Sequence, residues 1–354
     1  MNKKRILHII DSLAVGGAEM LLVNTINSLI DYYHTIVILS NNNDFKDVLF
    51  LKNKNSVNFI SKGKTFKAIF DLRKILKENR IEIIHSHLFW STLIARIACI
   101  GLNIKFIFSL HTVMSKDSFN NSKLMKWIEK FTYTKNQIVI AVSNTVLNDY
   151  DKIIGLKGKR HVLYNFVDNS FFLPIDNHKK KVLSNMIKLV AVGNIKPVKN
   201  YNYLLDVFKN IDNSKFSLDI YGIGDGLITL KNLVDKYELN ITFKGSSNQL
   251  ASILPCYDAY IMPSLYEGFG VAPLEAMASG LPVLLSDIPV FREIANDEAL
   301  FFDPNKKSDL IEILNRIFRK EVNLTVMSKK GRKKAEQISK KENYLKKINA
   351  IYLE

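Results

Sequence analysis

The sequence predicts an α/β protein of two doubly wound parallel sheets facing each other across a cleft. Apolar runs of strand length alternate with helical patterns in two separate series, and such alternation implies parallel strands with crossover helices. Between the series lies Asp168 to Asn185, a polar stretch without periodicity that carries Pro174 and Lys179-Lys180-Lys181. The length, 354 residues, exceeds what one hydrophobic core ordinarily supports. The expected divisions are a first domain at 1–172, a linker at 173–186, a second domain at 187–335 and a carboxyl-terminal helix at 336–354.

In the first series the strand-length runs fall at 5–10, 34–39, 57–60, 81–87, 105–111, 137–142 and 161–164. Arg5 to Ile10 leads into Gly16-Gly17-Ala18-Glu19, where Glu19 in a first helical turn stabilises that helix electrostatically. The longest apolar stretch, Leu88 to Leu110, is divided by Arg96, Gly101-Leu102-Asn103 and Lys105, so it reads as helix, turn and strand rather than a membrane span. Lys123 to Phe131 interleaves lysines with large apolar groups at helical spacing, as an interfacial helix or an ordinary sheet-packed helix would. Asp149 and Asp151 have the spacing of a metal-binding pair, but on the expected helix Asn144 to Lys152 they point in nearly opposite directions.

The second series places strands near 187–193, 216–221, 241–244, 259–263, 282–286 and 299–302, and the chain is helical and Lys-rich from Leu310 onward. Tyr221-Gly222-Ile223-Gly224-Asp225-Gly226 follows a strand and precedes a helix, as a dinucleotide fingerprint does. Its third glycine stands one position early, with Leu227 where close helix contact needs glycine, and Ile241 to Lys244 ends without an acid for a ribose. A dinucleotide oxidoreductase is therefore disfavoured.

Hydrophobic residues at 47% and charged ones at 24% describe a globular protein. Cys99 and Cys256 make no metal or disulfide spacing, which fits a reducing, cytoplasmic compartment. Met-Asn-Lys-Lys-Arg resembles a signal n-region, but Asp11 interrupts the apolar run and no small-residue cleavage site follows. The formal charge of +16 is concentrated in residues 1–175, which hold 24 Lys and Arg against 13 Asp and Glu. Such a balance suits nucleic acid, an anionic membrane or phosphorylated ligands, and charge alone does not choose. No nucleic-acid-binding module is recognisable, so nucleic acid is not an expected partner.

The most informative stretch is Pro263 to Val283, which holds Glu267-Gly268-Phe269-Gly270-Val271 and Glu275. Glu267 emerges at the carboxyl end of the strand Tyr257 to Met262, where open α/β sheets bind ligands. Gly268 and Gly270 are expected to leave the backbone uncovered for an anion or a sugar hydroxyl. Pro273 suits the first turn of the following helix and Gly280 its end, which puts Glu275 about one turn inside. Each carboxylate offers two acceptor oxygens, enough to hold a vicinal diol on a ribose or a hexose.

On these residues the chain resembles the family 4, or group 1, glycosyltransferases of the GT-B fold, built of two Rossmann-like domains. Two glutamates separated by seven residues in a Glu-Gly-Phe-Gly setting are that family's signature. Gly16-Gly17-Ala18-Glu19 matches its glycine loop, Val192-Gly193-Asn194 through Lys199-Asn200 its phosphate-binding loop, and Gly222 a glycine turn lining the nucleotide cleft. Asn165-Phe166-Val167-Asp168 stands where the family crosses between domains, and the last helix returns to the first domain. Two positions depart: Asn194 stands where arginine is usual and Phe166 where glycine is usual. Lys199, helped by Lys196, is then left to neutralise a diphosphate.

The resemblance implies a retaining hexosyl or N-acetylhexosaminyl transferase that uses a nucleotide sugar, with UDP favoured by family habit. A lipid-linked or polysaccharide acceptor of a bacterial surface glycan would receive the sugar at the inner face of the membrane. It implies donor contacts from Gly16, Gly17, Asn194, Lys199, Gly222, Glu267, Gly268, Phe269, Gly270, Val271 and Glu275, with Glu267, Lys199 and His111 nearest the chemistry. His85 and His87, at another strand's end, face the acceptor or pack in the core. No metal and no cofactor are expected, because helix dipoles, amides and Lys199 are available to stabilise the leaving group. A nucleotide-sugar epimerase of the same architecture is the alternative reading, and a basic nucleic-acid-binding protein a weaker one.

Overall fold

The computed structural model describes residues 3–14, 16–40, 43–45, 56–59, 65–172 and 186–354. They form two compact units, residues 1–165 with 342–354 and residues 166–341. Apart from Met186, the expected linker lies outside the described residues.

The first unit carries β1 (Arg5–Ile10), α1 (Gly17–Ser28), β2 (Tyr33–Ile38), β3 (Ser56–Phe59), α2 (Thr65–Glu78), β4 (Ile83–His87), α3 (Phe89–Ala98), β5 (Lys105–Leu110), α4 (Lys123–Thr132), β6 (Gln137–Ala141), α5 (Asn144–Ile154) and β7 (Arg160–Val162). Its strands make one parallel sheet in the order β3-β2-β1-β4-β5-β6-β7. β4 and β6 are buried along their whole length; β6 is apolar after Gln137, whereas β4 ends in the buried polar run His85-Ser86-His87.

The second unit carries β8 (Ile187–Val192), α6 (Tyr201–Phe208), β9 (Phe216–Tyr221), α7 (Leu227–Lys236), β10 (Ile241–Gly245), α8 (Leu250–Ile253), β11 (Ala259–Met262), α9 (Val271–Ala278), β12 (Val283–Ser286), α10 (Pro289–Ala295), β13 (Ala299–Phe302), α11 (Lys307–Phe318) and α12 (Leu324–Ile338). Its parallel sheet runs β10-β9-β8-β11-β12-β13. A last helix, α13 (Lys341–Leu353), joins the first unit from Glu342 onward and buries Tyr344, Ile348, Ile351 and Tyr352, one stripe at helical spacing.

Strand order reverses between β1 and β4 in the first sheet and between β8 and β11 in the second. In open parallel sheets ligands sit outside the carboxyl ends of the strands at such points. The chemistry-bearing residues of each unit gather there.

Candidate functional site

In the second unit, Glu267 lies on the loop between β11 and α9, and Glu275 lies just over one turn into α9. Oε1 of Glu267 accepts from Nζ of Lys199 at 2.6 Å and from Oγ of Ser264 at 2.8 Å. Both charged side chains are largely withdrawn from water, at 19% and 16% exposed. The loops carrying them are also tied through the backbone, where the Leu265 N–H donates to the Val198 carbonyl at 2.9 Å.

The glycines here are explained by close approach. Gly270 caps α9 with φ of 92°, and a Cβ there would lie 2.9 Å from the Phe291 ring. Gly268, Phe269 and Gly270 are buried, so the turn is less open than the sequence suggested, and Val271 is partly buried. Gly280, with φ of 78°, closes the helix in the left-handed region. A Cβ at Gly222 would fall 2.0 Å from the Gly193 carbonyl, so the turns after β8 and β9 touch backbone to backbone beside Asn194. Burial, and then the charge of Asp168, push the Glu275 carboxyl up to about 7.

In the first unit, Gly16 caps α1, Gly17 is its first residue, and the Glu19 carboxylate folds back to within 2.3 Å of where a Gly16 Cβ would stand. A side chain at Gly16 would displace the flexible end of Glu19 rather than meet backbone. His111 follows β5 and is partly buried.

His85 and His87, offered by the sequence as acceptor contacts, are only 3% and 4% exposed. His85 commits Nδ1 to the Tyr352 hydroxyl and Nε2 to Ser109 Oγ, each at 2.8 Å. Core packing is therefore the reading that fits His85, and His87 reaches outward only through Nδ1, 3.1 Å from Nε2 of His111. His8 and His34 extend the row, with His8 Nε2 3.1 Å from His34 Nδ1. Desolvation lowers the pKa of all five, that of His111 to about 4, so the row is neutral at pH 7.

One ring nitrogen each from His8, His85 and His87 lies within 4.8 Å of the others, a juxtaposition invisible in sequence because β1 and β4 are far apart along the chain. With both nitrogens of His85 already bonded, His8 and His87 alone have nitrogens left for an ion. Asp149 and Asp151 go separate ways, as their spacing predicts: Asp149 accepts from the Ser115 N–H and Asp151 from the Leu156 N–H.

The sequence reading missed a buried trio. Arg96 pairs with Glu129 at 2.7 Å, and the Tyr150 hydroxyl donates to Glu129 at 2.5 Å, joining α3, α4 and α5. Arg96 had counted only as an interruption of an apolar stretch, since its partner is remote in sequence. Glu129 also lines a cavity of about 280 Å³, together with Asp11, Phe89, Trp90, His111 and Met114.

Residues 175–334 match the family described as Glycosyl transferases group 1, and residues 15–171 match Glycosyltransferase Family 4. The chain is 32% identical over 194 residues to the O-antigen chain mannosyltransferase RfbU of Salmonella typhimurium, covering 53% of each chain. It is 29% identical over 303 residues to the UDP-Gal:alpha-D-GlcNAc-diphosphoundecaprenol alpha-1,3-galactosyltransferase of Escherichia coli, covering 78% of this chain and 76% of that one. Among solved structures, Anabaena HepE in complex with UDP-glucose superposes with a TM-score of 0.85 at 17% identity, over 98% of this chain and 99% of the other, which shows the GT-B fold. With the glutamate signature and both sheets in place, the chain belongs to the family 4, group 1 glycosyltransferases.

Proposed function

We propose that this protein moves a hexose or N-acetylhexosamine from a nucleoside diphosphate sugar to a lipid-linked or glycan acceptor in bacterial surface-polysaccharide synthesis. The observation that carries it is the desolvated Lys199–Glu267 pair at a sheet switch point, with Glu275 just over one turn into the adjoining helix. UDP is the favoured carrier, since the Escherichia coli relative is named for UDP-Gal and the Anabaena structure holds UDP-glucose.

In the reaction, the bond between the anomeric carbon and the diphosphate oxygen breaks and its electron pair leaves with the diphosphate. The Lys199 ammonium, exchanging its Glu267 partner for the diphosphate, offsets that charge. Glu267, so released, accepts from hydroxyls of the donor sugar, and Glu275 accepts from the ribose diol. The acceptor oxygen attacks the same face, its proton passing to the departing phosphate oxygen, so configuration is retained without a protein nucleophile. The dipole of α9 and the loop amides add to Lys199, and no metal is required.

Peripheral contact with an anionic membrane is part of the proposal. On α4 the one fully buried residue is Glu129, whereas Leu124, Trp127 and Phe131 are 60%, 62% and 76% exposed. This is an inside-out amphipathic helix: the charge anchors it inward and the apolar face, flanked by Lys123, Lys126 and Lys130, looks outward. At low salt, anionic vesicles should float the wild type and release a Trp127→Ala/Phe131→Ala variant. Equal flotation of the two removes this part.

For the reaction itself, radiolabelled sugar from a UDP-sugar panel should enter a membrane-lipid fraction. Absence of transfer from every donor overturns the proposal. Isomerised donor formed without any acceptor would establish the epimerase instead.

A further inference from the structure

We infer that His87 is a positioning residue that fixes His111 in the tautomer carrying its proton on Nδ1, so that His111 offers a neutral hydrogen-bond donor to the cavity it lines. The inference rests on the reading of His111 as a donor-side group. It comes from a count of protons along the histidine row.

A neutral imidazole has one N–H and one lone pair, and the bond made by one nitrogen sets the state of the other. At one end of the row the assignment is forced. His34 Nε2 lies 2.9 Å from the Leu29 carbonyl, which can only accept, so the His34 proton is on Nε2. Its Nδ1 is then a lone pair, and His8 must donate to it from Nε2. His8 Nδ1 is left as a bare lone pair, and it is indeed a buried nitrogen with no partner. This interior thus accommodates an unpartnered imidazole lone pair.

The His87–His111 contact poses the same choice. Nδ1 of His87 and Nε2 of His111 are 3.1 Å apart, and one proton lies between them. If His111 gave that proton, His87 would carry its own on Nε2, which is buried without a partner. An orphaned buried N–H is the rarer and costlier arrangement. If His87 gives the proton, its Nε2 becomes a second bare lone pair like that of His8, and His111 holds its proton on Nδ1. No described residue bonds Nδ1 of His111, a partly buried side chain that lines the 280 Å³ cavity. The sequence Ile83-Ile84-His85-Ser86-His87 thus sets the polarity of a residue 24 positions later.

The test is ¹⁵N NMR of histidine-labelled, donor-free protein, with the His111 signals assigned by their loss in His111→Asn. Wild type should show His111 with Nδ1 protonated and Nε2 bare. His87→Asn keeps an N–H close to the place of Nδ1 and should preserve both that pattern and kcat within about threefold. His87→Leu, similar in shape but without a donor, should lose the pattern and lower kcat about 10- to 50-fold, with the donor KM changing less. Finding the His111 proton on Nε2 in wild type overturns the inference without any variant, and so do Asn and Leu variants that behave alike. If the tautomer is as stated but no sugar is transferred from any donor, the inference about His87 stands and the glycosyl-transfer reading falls.

Discussion

Replacing Lys199 by alanine separates the stabilising and chemical roles of one ion pair. At 2.6 Å the attraction between Nζ and the Glu267 carboxylate is about 6 kcal/mol at an effective dielectric constant of 20. Much of that offsets the removal of both groups from water. Deleting one partner of a fully buried pair costs roughly 3–5 kcal/mol, because the other charge stays buried alone. Here each side chain keeps a little exposure and Ser264 still donates to Glu267, so we expect about 2–4 kcal/mol. For a unit of this size that is a fall of about 5–15 °C in Tm. The double variant Lys199→Ala/Glu267→Gln removes both charges and should recover most of the loss, leaving a coupling energy above about 1 kcal/mol in a double-mutant cycle. Transfer activity should fall about 100- to 1000-fold in both variants, since neither can neutralise the leaving diphosphate. Urea unfolding and initial rates on the same preparations provide the assay. If the double variant is no more stable than the single one, the pair is not the desolvated contact described. If Lys199→Ala stays within twofold of wild-type activity, its chemical role is wrong.

Glu275→Gln should trade function for stability. The fold raises this carboxyl from 4.5 to about 7, so a stability penalty accumulates as pH rises through that window and reaches roughly 3 kcal/mol above it. The variant should therefore unfold at higher urea than wild type at pH 8, the gap closing by pH 4.5, while donor affinity falls; no gap at pH 8 would refute the burial argument. The histidine row predicts acid lability of the first unit. Its five pKa values are lowered from 6.5, so the unfolded chain takes up protons first and stability falls as pH drops below 6.5. His111 alone should contribute roughly 3 kcal/mol by pH 4, read as a falling urea midpoint, and a flat profile from pH 7 to 5 would contradict it. Gly270→Ala must hold φ near 92° and push Phe291 aside, for about 2–4 kcal/mol measured by thermal unfolding; a loss under about 0.5 kcal/mol would mean the turn has another conformation.

Much of this molecule was legible in one dimension. Strands of a covered parallel sheet are largely apolar, so most strand runs announced themselves, while the buried His85-Ser86-His87 end of β4 did not follow that rule, and Pro273 and Gly280 bracketed α9 because a helix start tolerates a missing N–H and its end favours a left-handed residue. The glutamate signature was legible for the same local reason: a strand end, a glycine turn and a helix start are contiguous in sequence. What sequence could not supply were contacts between remote segments. Arg96 found Glu129, Lys199 found Glu267, and His8 met His85 and His87 only because the strand order places β4 beside β1. The demands on Gly222 and Gly270 likewise came from the Gly193 carbonyl and the Phe291 ring, which no neighbour in the chain reveals. Periodicity and turn chemistry are properties of adjacent residues and are written in the sequence. Desolvation, hydrogen-bond direction and the pairing of buried charges depend on which distant groups share a low-dielectric interior, and the tertiary structure alone decided those.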